Sequence, residues 1–122
     1  DLILQGLRGW KGRRVAAMDR LADRIFAQAI EPEIFPEMRA IVEAHRRMGH
    51  TLVLATSATR FQAGPAARHL GIDEVLTTRL TERRGVLTGR VEGEVLFGPA
   101  KAEAVRALAA RRRFDLSLSW FY

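Results

Sequence analysis

Thr51-Leu52-Val53-Leu54-Ala55 is the segment that most restricts what this chain can become. A short apolar run bounded by polar residues reads as a buried strand. Thr56 ends it, Ser57-Ala58-Thr59 follow, and a helical stretch runs from about Phe61 to Leu70. A small hydroxyl therefore sits where the carboxyl end of a strand meets the amino end of a helix. In open α/β sheets that edge is where ligands bind. Free backbone N–H groups at a helix start favour anions, phosphate above all. Lys101, which opens a later helix, can reach the same anion.

The remaining pattern alternates helix and strand. Val15, Met18, Leu21, Ala22, Ile25, Phe26 and Ala29 are spaced by threes and fours, which predicts an amphipathic helix over Arg13–Ala29. Glu31-Pro32 breaks it. Pro36 starts another helix in its first turn, where proline is tolerated. Met38, Ile41, Val42, His45 and Met48 form its expected inner face, and Gly49 its cap. Glu74–Leu80 reads as a strand, Glu82–Gly85 as a turn, and Val86–Val91 as the returning hairpin partner. Gly93–Pro99 is a loop. Ala100–Arg112 is a helix burying Ala104, Val105, Leu108 and Ala109. Asp115–Tyr122 reads as a last strand, with Trp120 and Phe121 in the core. Thr56 and Tyr122 are then expected to end neighbouring parallel strands that face one crevice. This order implies a layered α/β sheet.

At 122 residues the chain makes one domain at most. Its 48% hydrophobic and 28% charged content suits a globular protein. The sequence has no cysteine, which excludes disulfides, thiol catalysis and Cys-zinc sites, and fits a reducing compartment. No apolar run approaches a membrane span. The net charge of +6 favours anionic partners. Most of the excess lies in Arg13-Arg14, Arg46-Arg47, Arg83-Arg84 and Arg111-Arg112-Arg113, at expected helix ends and turns. That placement reads as solvated surface charge, and it lacks the interleaved aromatics of a nucleic-acid face. His45, His50 and His69 show no metal-ligand spacing and read as packing or surface residues. Asp1 at the start and the apolar run Leu116–Tyr122 at the end suggest a segment of a longer polypeptide. A sheet with an exposed apolar edge predicts poor solubility.

Several stretches together resemble one family. Leu52-Val53-Leu54-Ala55-Thr56-Ser57-Ala58-Thr59-Arg60-Phe61, continuing to Pro65 and Leu70-Gly71-Ile72-Asp73, resembles the second motif region of haloacid-dehalogenase-like phosphatases, in the phosphoserine-phosphatase-like branch (subfamily IB). Leu76-Thr77-Thr78-Arg79-Leu80, Gly85-Val86-Leu87-Thr88-Gly89-Arg90 and Phe97-Gly98-Pro99-Ala100-Lys101 are similar to that branch's hairpin and third motif. Ile30-Glu31-Pro32 through His45, Gly49 and His50 resembles the approach to the second motif. The resemblance implies a Rossmann-like core, part of a three-layer α/β sandwich, with a short β-hairpin. Residues 1–30 would be the end of a helical cap and residues 31–122 a partial phosphatase core. It implies a cytoplasmic, magnesium-dependent phosphomonoesterase working through an aspartyl-phosphate. Thr56, with the N–H of Ser57, would bind phosphoryl oxygens, and Lys101 would neutralise charge on the phosphoryl group and nucleophile. The partner would be a small phosphate ester, with phosphoserine a candidate and no nucleic acid or membrane expected.

Such roles suit the chemistry. Phosphoryl transfer needs in-line positioning and charge stabilisation on the equatorial oxygens. A hydroxyl, backbone N–H groups and a lysine supply that. A lysine is a compact point charge for a phosphoryl group. Thr59 and Arg60 either touch substrate or begin the helix. Trp10 is a cap or packing residue. The family's nucleophile and general acid lie in an Asp-x-Asp motif, which the sequence does not contain. Its metal-binding acids follow the strand that here ends at Tyr122. The expectation is therefore a phosphate-binding fragment, inactive by itself, whose magnesium ligands lie outside these residues. The alternative is a non-catalytic basic α/β module that binds nucleic acid or another polyanion.

Overall fold

A computed structural model describes residues 2–122, with side chains from residue 4. Asp1, where the expected cap tail begins, lies outside the described residues. The elements run α1 (Leu2–Arg8), α2 (Val15–Ile25), α3 (Pro36–Arg47), β1 (Val53–Thr59), α4 (Arg60–Leu70), β2 (Glu74–Thr78), β3 (Leu80–Arg83), β4 (Val86–Val91) and α5 (Pro99–Arg112). β1 and β2 pair in parallel, joined by α4, which packs against both. β3 and β4 form a separate antiparallel hairpin. The mixed α/β reading holds.

Side-chain spacing explains most of the helices. α2 buries Met18 and continues through a wider turn over Phe26–Ile30, which buries Phe26. The regular helix thus ends at Ile25, short of the expected Ala29. α3 starts on Pro36, as expected. Its supposed inner face is a correction: Met38 is 40% and Met48 61% exposed, while Ile41, Val42 and His45 are half-buried. α5 buries Leu108 and Ala109 and half-buries Ala104 and Val105. Among the described residues no helix is long and apolar enough to cross a membrane.

The small core lies where α2, α4 and the hairpin converge. Met18, Phe61 and Leu87 form it, with Trp10, Val15, Ala22 and Leu80 against them. Trp10 meets the Phe61 ring edge-on at 6.2 Å, so it is a packing residue. Exposed ion pairs Arg60–Asp19 (2.9 Å) and Arg68–Asp23 (2.8 Å) also join α4 to α2. Exposed pairs contribute little, roughly 0–1 kcal/mol, so burial sets this contact.

The expected strand Glu74–Leu80 divides at Arg79, where the chain leaves β2 and enters the hairpin. The hairpin turn places Arg84 and Gly85 at positive φ (54° and 76°), the geometry of a tight two-residue turn. Gly89 lets the hairpin approach the end of α1. A Cβ there would lie 2.9 Å from the Lys11 Cβ and 3.2 Å from the Arg8 carbonyl oxygen.

The last expected strand is not one. Leu116–Leu118 forms a single 3-10 turn, and the chain continues outside both sheets. Trp120 and Phe121 are 60% and 70% exposed, not core. Asp115 accepts hydrogen bonds from the Ser117 N–H (2.9 Å) and hydroxyl (2.6 Å), and Ser119 donates to the Asp115 carbonyl at 2.9 Å. Such local bonds compete with a sheet ladder. Tyr122 therefore ends no strand beside Thr56. Its hydroxyl meets His45 Nε2 at 3.0 Å, and Trp120 stacks on His50.

Candidate functional site

β1 runs past Thr56 to Thr59, so the strand-to-helix junction lies later than the sequence suggests. Its pairing is regular from Val53 to Ala55, opposite Glu74 to Leu76, and resumes only at Thr59 opposite Thr78. The stretch between is a bulge. Bulges take backbone groups out of the ladder and re-aim side chains. Thr56 and Ser57 lie in that stretch, at the carboxyl end of a parallel pair.

Local bonds define what each residue can offer. Thr56 is half-buried, and its Oγ1 accepts from the Ala58 N–H at 3.1 Å. That bond uses one lone pair and leaves the hydroxyl proton for an external acceptor. The Ser57 carbonyl accepts from the Thr78 hydroxyl at 2.6 Å. Thr59 is 2% exposed and caps α4: Gln62 Oε1 accepts from its N–H at 2.9 Å and from its Oγ1 at 3.3 Å. Arg60 opens α4, pairs with Asp19 and lies over the Phe61 ring at 4.2 Å. Thr59 and Arg60 thus begin the helix.

Lys101 lies in the first turn of α5, which starts at Pro99 and packs against β1. It is half-buried, with no hydrogen bond or ion pair to another described residue. No hydrogen bond joins it to Thr56 or Ser57. The two halves are linked instead through Thr78, whose Oγ1 accepts from the Leu96 N–H at 2.9 Å while donating to Ser57. Thr78 is 1% exposed. Sequence reasoning missed it. Its signal was a threonine at the end of the strand neighbouring Thr56.

A donor set for a metal is a different matter. Among the described residues no group of three or more His, Asp or Glu stands where it could hold a metal ion. The three histidines bond to residues other than Thr56, Ser57 and Lys101. His45 and His50 join through their Nδ1 atoms at 2.9 Å, and His69 meets Arg39 at 2.7 Å. A cleft of about 500 Å³ lies between α1 and β4, lined by Arg8, Lys11 and Arg90 among others. It contains none of Thr56, Ser57 or Lys101.

Comparison with known proteins gives the family and the fold. The sequence matches the family described as haloacid dehalogenase-like hydrolase over residues 7–122. It is similar to a Mycobacterium tuberculosis protein named phosphoserine phosphatase SerB1, 35% identical over 106 residues, covering 87% of this chain and 34% of that protein. The chain thus spans about a third of that relative's length. The fold resembles a Bordetella pertussis protein of unknown function, with TM-score 0.78 and 24% identity over 86% of this chain and 47% of that one. It also resembles a probable phosphoserine phosphatase from Vibrio cholerae, with TM-score 0.66 and 21% identity over 93% of this chain and 33% of that one.

Proposed function

The chain belongs to the haloacid dehalogenase-like hydrolases, and from that premise we propose that it is the phosphate-binding part of a phosphomonoesterase. The observation that carries this reading is Thr56. Its hydroxyl sits in a bulge at the carboxyl edge of the parallel pair, already accepting from Ala58 and so turned to donate. A phosphoryl oxygen is a matching acceptor. The N–H of Ser57 adds a second donor in this reading. Lys101, on the helix packed against β1, adds the positive charge. The three residues bind and orient the phosphoryl group and offset its charge, the electrostatic task that dominates such reactions.

The substrate proposed is a small phosphorylated metabolite, and a relative named phosphoserine phosphatase makes phosphoserine the first candidate. Residues 1–30 are read as the end of a cap and residues 31–122 as part of the core. A cytoplasmic setting belongs to the same family reading. The family reading implies Mg²⁺, and the acidic groups described here do not fit it. We place its ligands, and the aspartate nucleophile, in parts of the complete protein beyond these 122 residues. No step of the binding chemistry above depends on them.

The test is made in the complete protein. Thr56→Val and Lys101→Ala are each expected to lower kcat/KM by about 10²–10³-fold, as loss of one oriented charge-stabilising group does. Circular dichroism should stay unchanged. Near wild-type turnover by both variants on a panel of phosphate esters would reject the site. The 122 residues alone are expected to give no turnover, and magnesium-dependent hydrolysis by them would overturn that part.

A further inference from the structure

We propose that Thr78 is a positioning residue that holds the two halves of the phosphate site in register, an inference that rests on the assignment of Thr56, Ser57 and Lys101 above. Thr78 is 1% exposed, and its hydroxyl both donates and accepts. It donates to the Ser57 carbonyl at 2.6 Å and accepts from the Leu96 N–H at 2.9 Å. One bond fixes the bulged turn that carries Thr56. The other fixes the loop that leads through Gly98 and Pro99 into α5 and Lys101. Neither backbone group has a sheet ladder to hold it, because the register is broken on the β1 side and residues 92–98 belong to no strand. Position 78 itself is firm, since Thr78 rejoins the ladder opposite Thr59. The anchor is thus rigid, and the two elements it holds are the ones that carry the ligand's contacts.

Few side chains can do this. A hydroxyl donates and accepts from one atom. Valine has the same shape and does neither. Thr78→Val would open no cavity and would leave a half-buried C=O and a half-buried N–H without this partner, a loss that folded proteins avoid. The relief is to part the turn from the loop and admit water. That moves Ser57 away from Lys101 without touching either, and a displacement of about 1 Å in such a site can cost about 10²-fold in rate.

The experiment uses the complete protein and inorganic phosphate as the probe. Thr78→Val is expected to weaken phosphate binding about tenfold and to lower kcat/KM about 10²-fold, mostly in kcat. Thr78→Ser, which keeps the hydroxyl, should stay within about threefold of wild type in both. A merely structural role would lower the melting temperature of Thr78→Val while leaving phosphate affinity and kcat intact. That result would overturn the proposal. If Thr56→Val and Lys101→Ala abolish phosphate binding and Thr78→Val does not, the positioning role alone fails. If none of the three changes it, the site itself fails. Should Thr78→Val not fold, hydrogen exchange in the native protein decides. Phosphate at 100 times its Kd should slow the Leu96 amide by up to about 100-fold, because in this reading the opening that exposes Leu96 breaks the site. A Leu96 amide that exchanges at the same rate with and without phosphate overturns the coupling.

Discussion

Thr56, Thr59 and Thr78 carry one side chain into three environments. Thr56 is half-buried and keeps a proton to donate. Thr59 is buried and bonded to Gln62, where it ends β1 and caps α4. Thr78 is buried and bonded on both sides to backbone. The assignments separate by mutation. Thr59→Ala is expected to lower stability by about 1 kcal/mol, the usual cost of losing a helix cap. Urea unfolding should show a lower midpoint with an unchanged slope. The phosphate affinity of the complete protein should stay as it was, unlike that of Thr56→Val. A loss of affinity in Thr59→Ala would mean that Thr59 faces the ligand. Of the three, Thr56 was the one the sequence singled out as a site candidate, because a hydroxyl between a strand and a helix is a local pattern. Thr78 was not. Its partners Ser57 and Leu96 lie 21 and 18 positions away, a distance at which no periodicity shows a pairing.

Elements with a strong period and clear end signals were legible. α3 opens on Pro36 and α4 ends before Gly71, and both match their reading. The end of β1 was not legible, because its bulge arises from pairing with β2 and leaves no mark on β1's own composition. The segment after α5 failed for a different reason. Its apolar residues have strand character, but Asp115, Ser117 and Ser119 bond locally first. The Asp115 carboxyl is held below its ordinary value by the Ser117 hydroxyl and then by the Ser117 N–H. A depressed carboxylate stabilises its turn above the unfolded-state pKa, and that support is lost as pH falls through the folded-state value. The 3-10 turn over Leu116–Leu118 should therefore be present at neutral pH and loosen in acid. Carboxyl carbon shifts from NMR should give Asp115 a titration below that of a free aspartate. The Ser117 amide should move in step, and Asp115→Asn should abolish the pH response. An ordinary midpoint, or a Ser117 amide indifferent to pH, would contradict the turn.

At the scale of the whole molecule, the sheet chemistry is thin for the apolar content. The parallel sheet has two strands, and the hairpin stands apart from it. Phe35, Phe97, Leu118, Phe121 and Tyr122 are 73%, 69%, 74%, 70% and 77% exposed. Unpaired strand edges and exposed apolar surface both invite a second copy. Opposing them is a net charge of +6, with arginines displayed at helix ends and the hairpin turn. Like-charged copies repel, and salt screens that repulsion over a length that falls to about 8 Å at 0.15 M. The two tendencies give a signed prediction for the 122-residue chain by itself. In sedimentation velocity its average mass should rise with concentration. It should rise further when salt is raised from about 50 to about 200 mM, because apolar association survives screening and repulsion does not. The rival reading, a basic module for nucleic acid, has the opposite sign. Binding to duplex DNA would weaken steeply over the same range, because releasing the same counterions into a saltier solution gains less free energy. Self-association that grows with salt, with no DNA binding at 50 mM, leaves the arginines as solvating charge and the apolar surface as the dominant feature. A monomer at every concentration, with tight DNA binding that salt dissolves, would move the polyanion module ahead of the phosphatase reading.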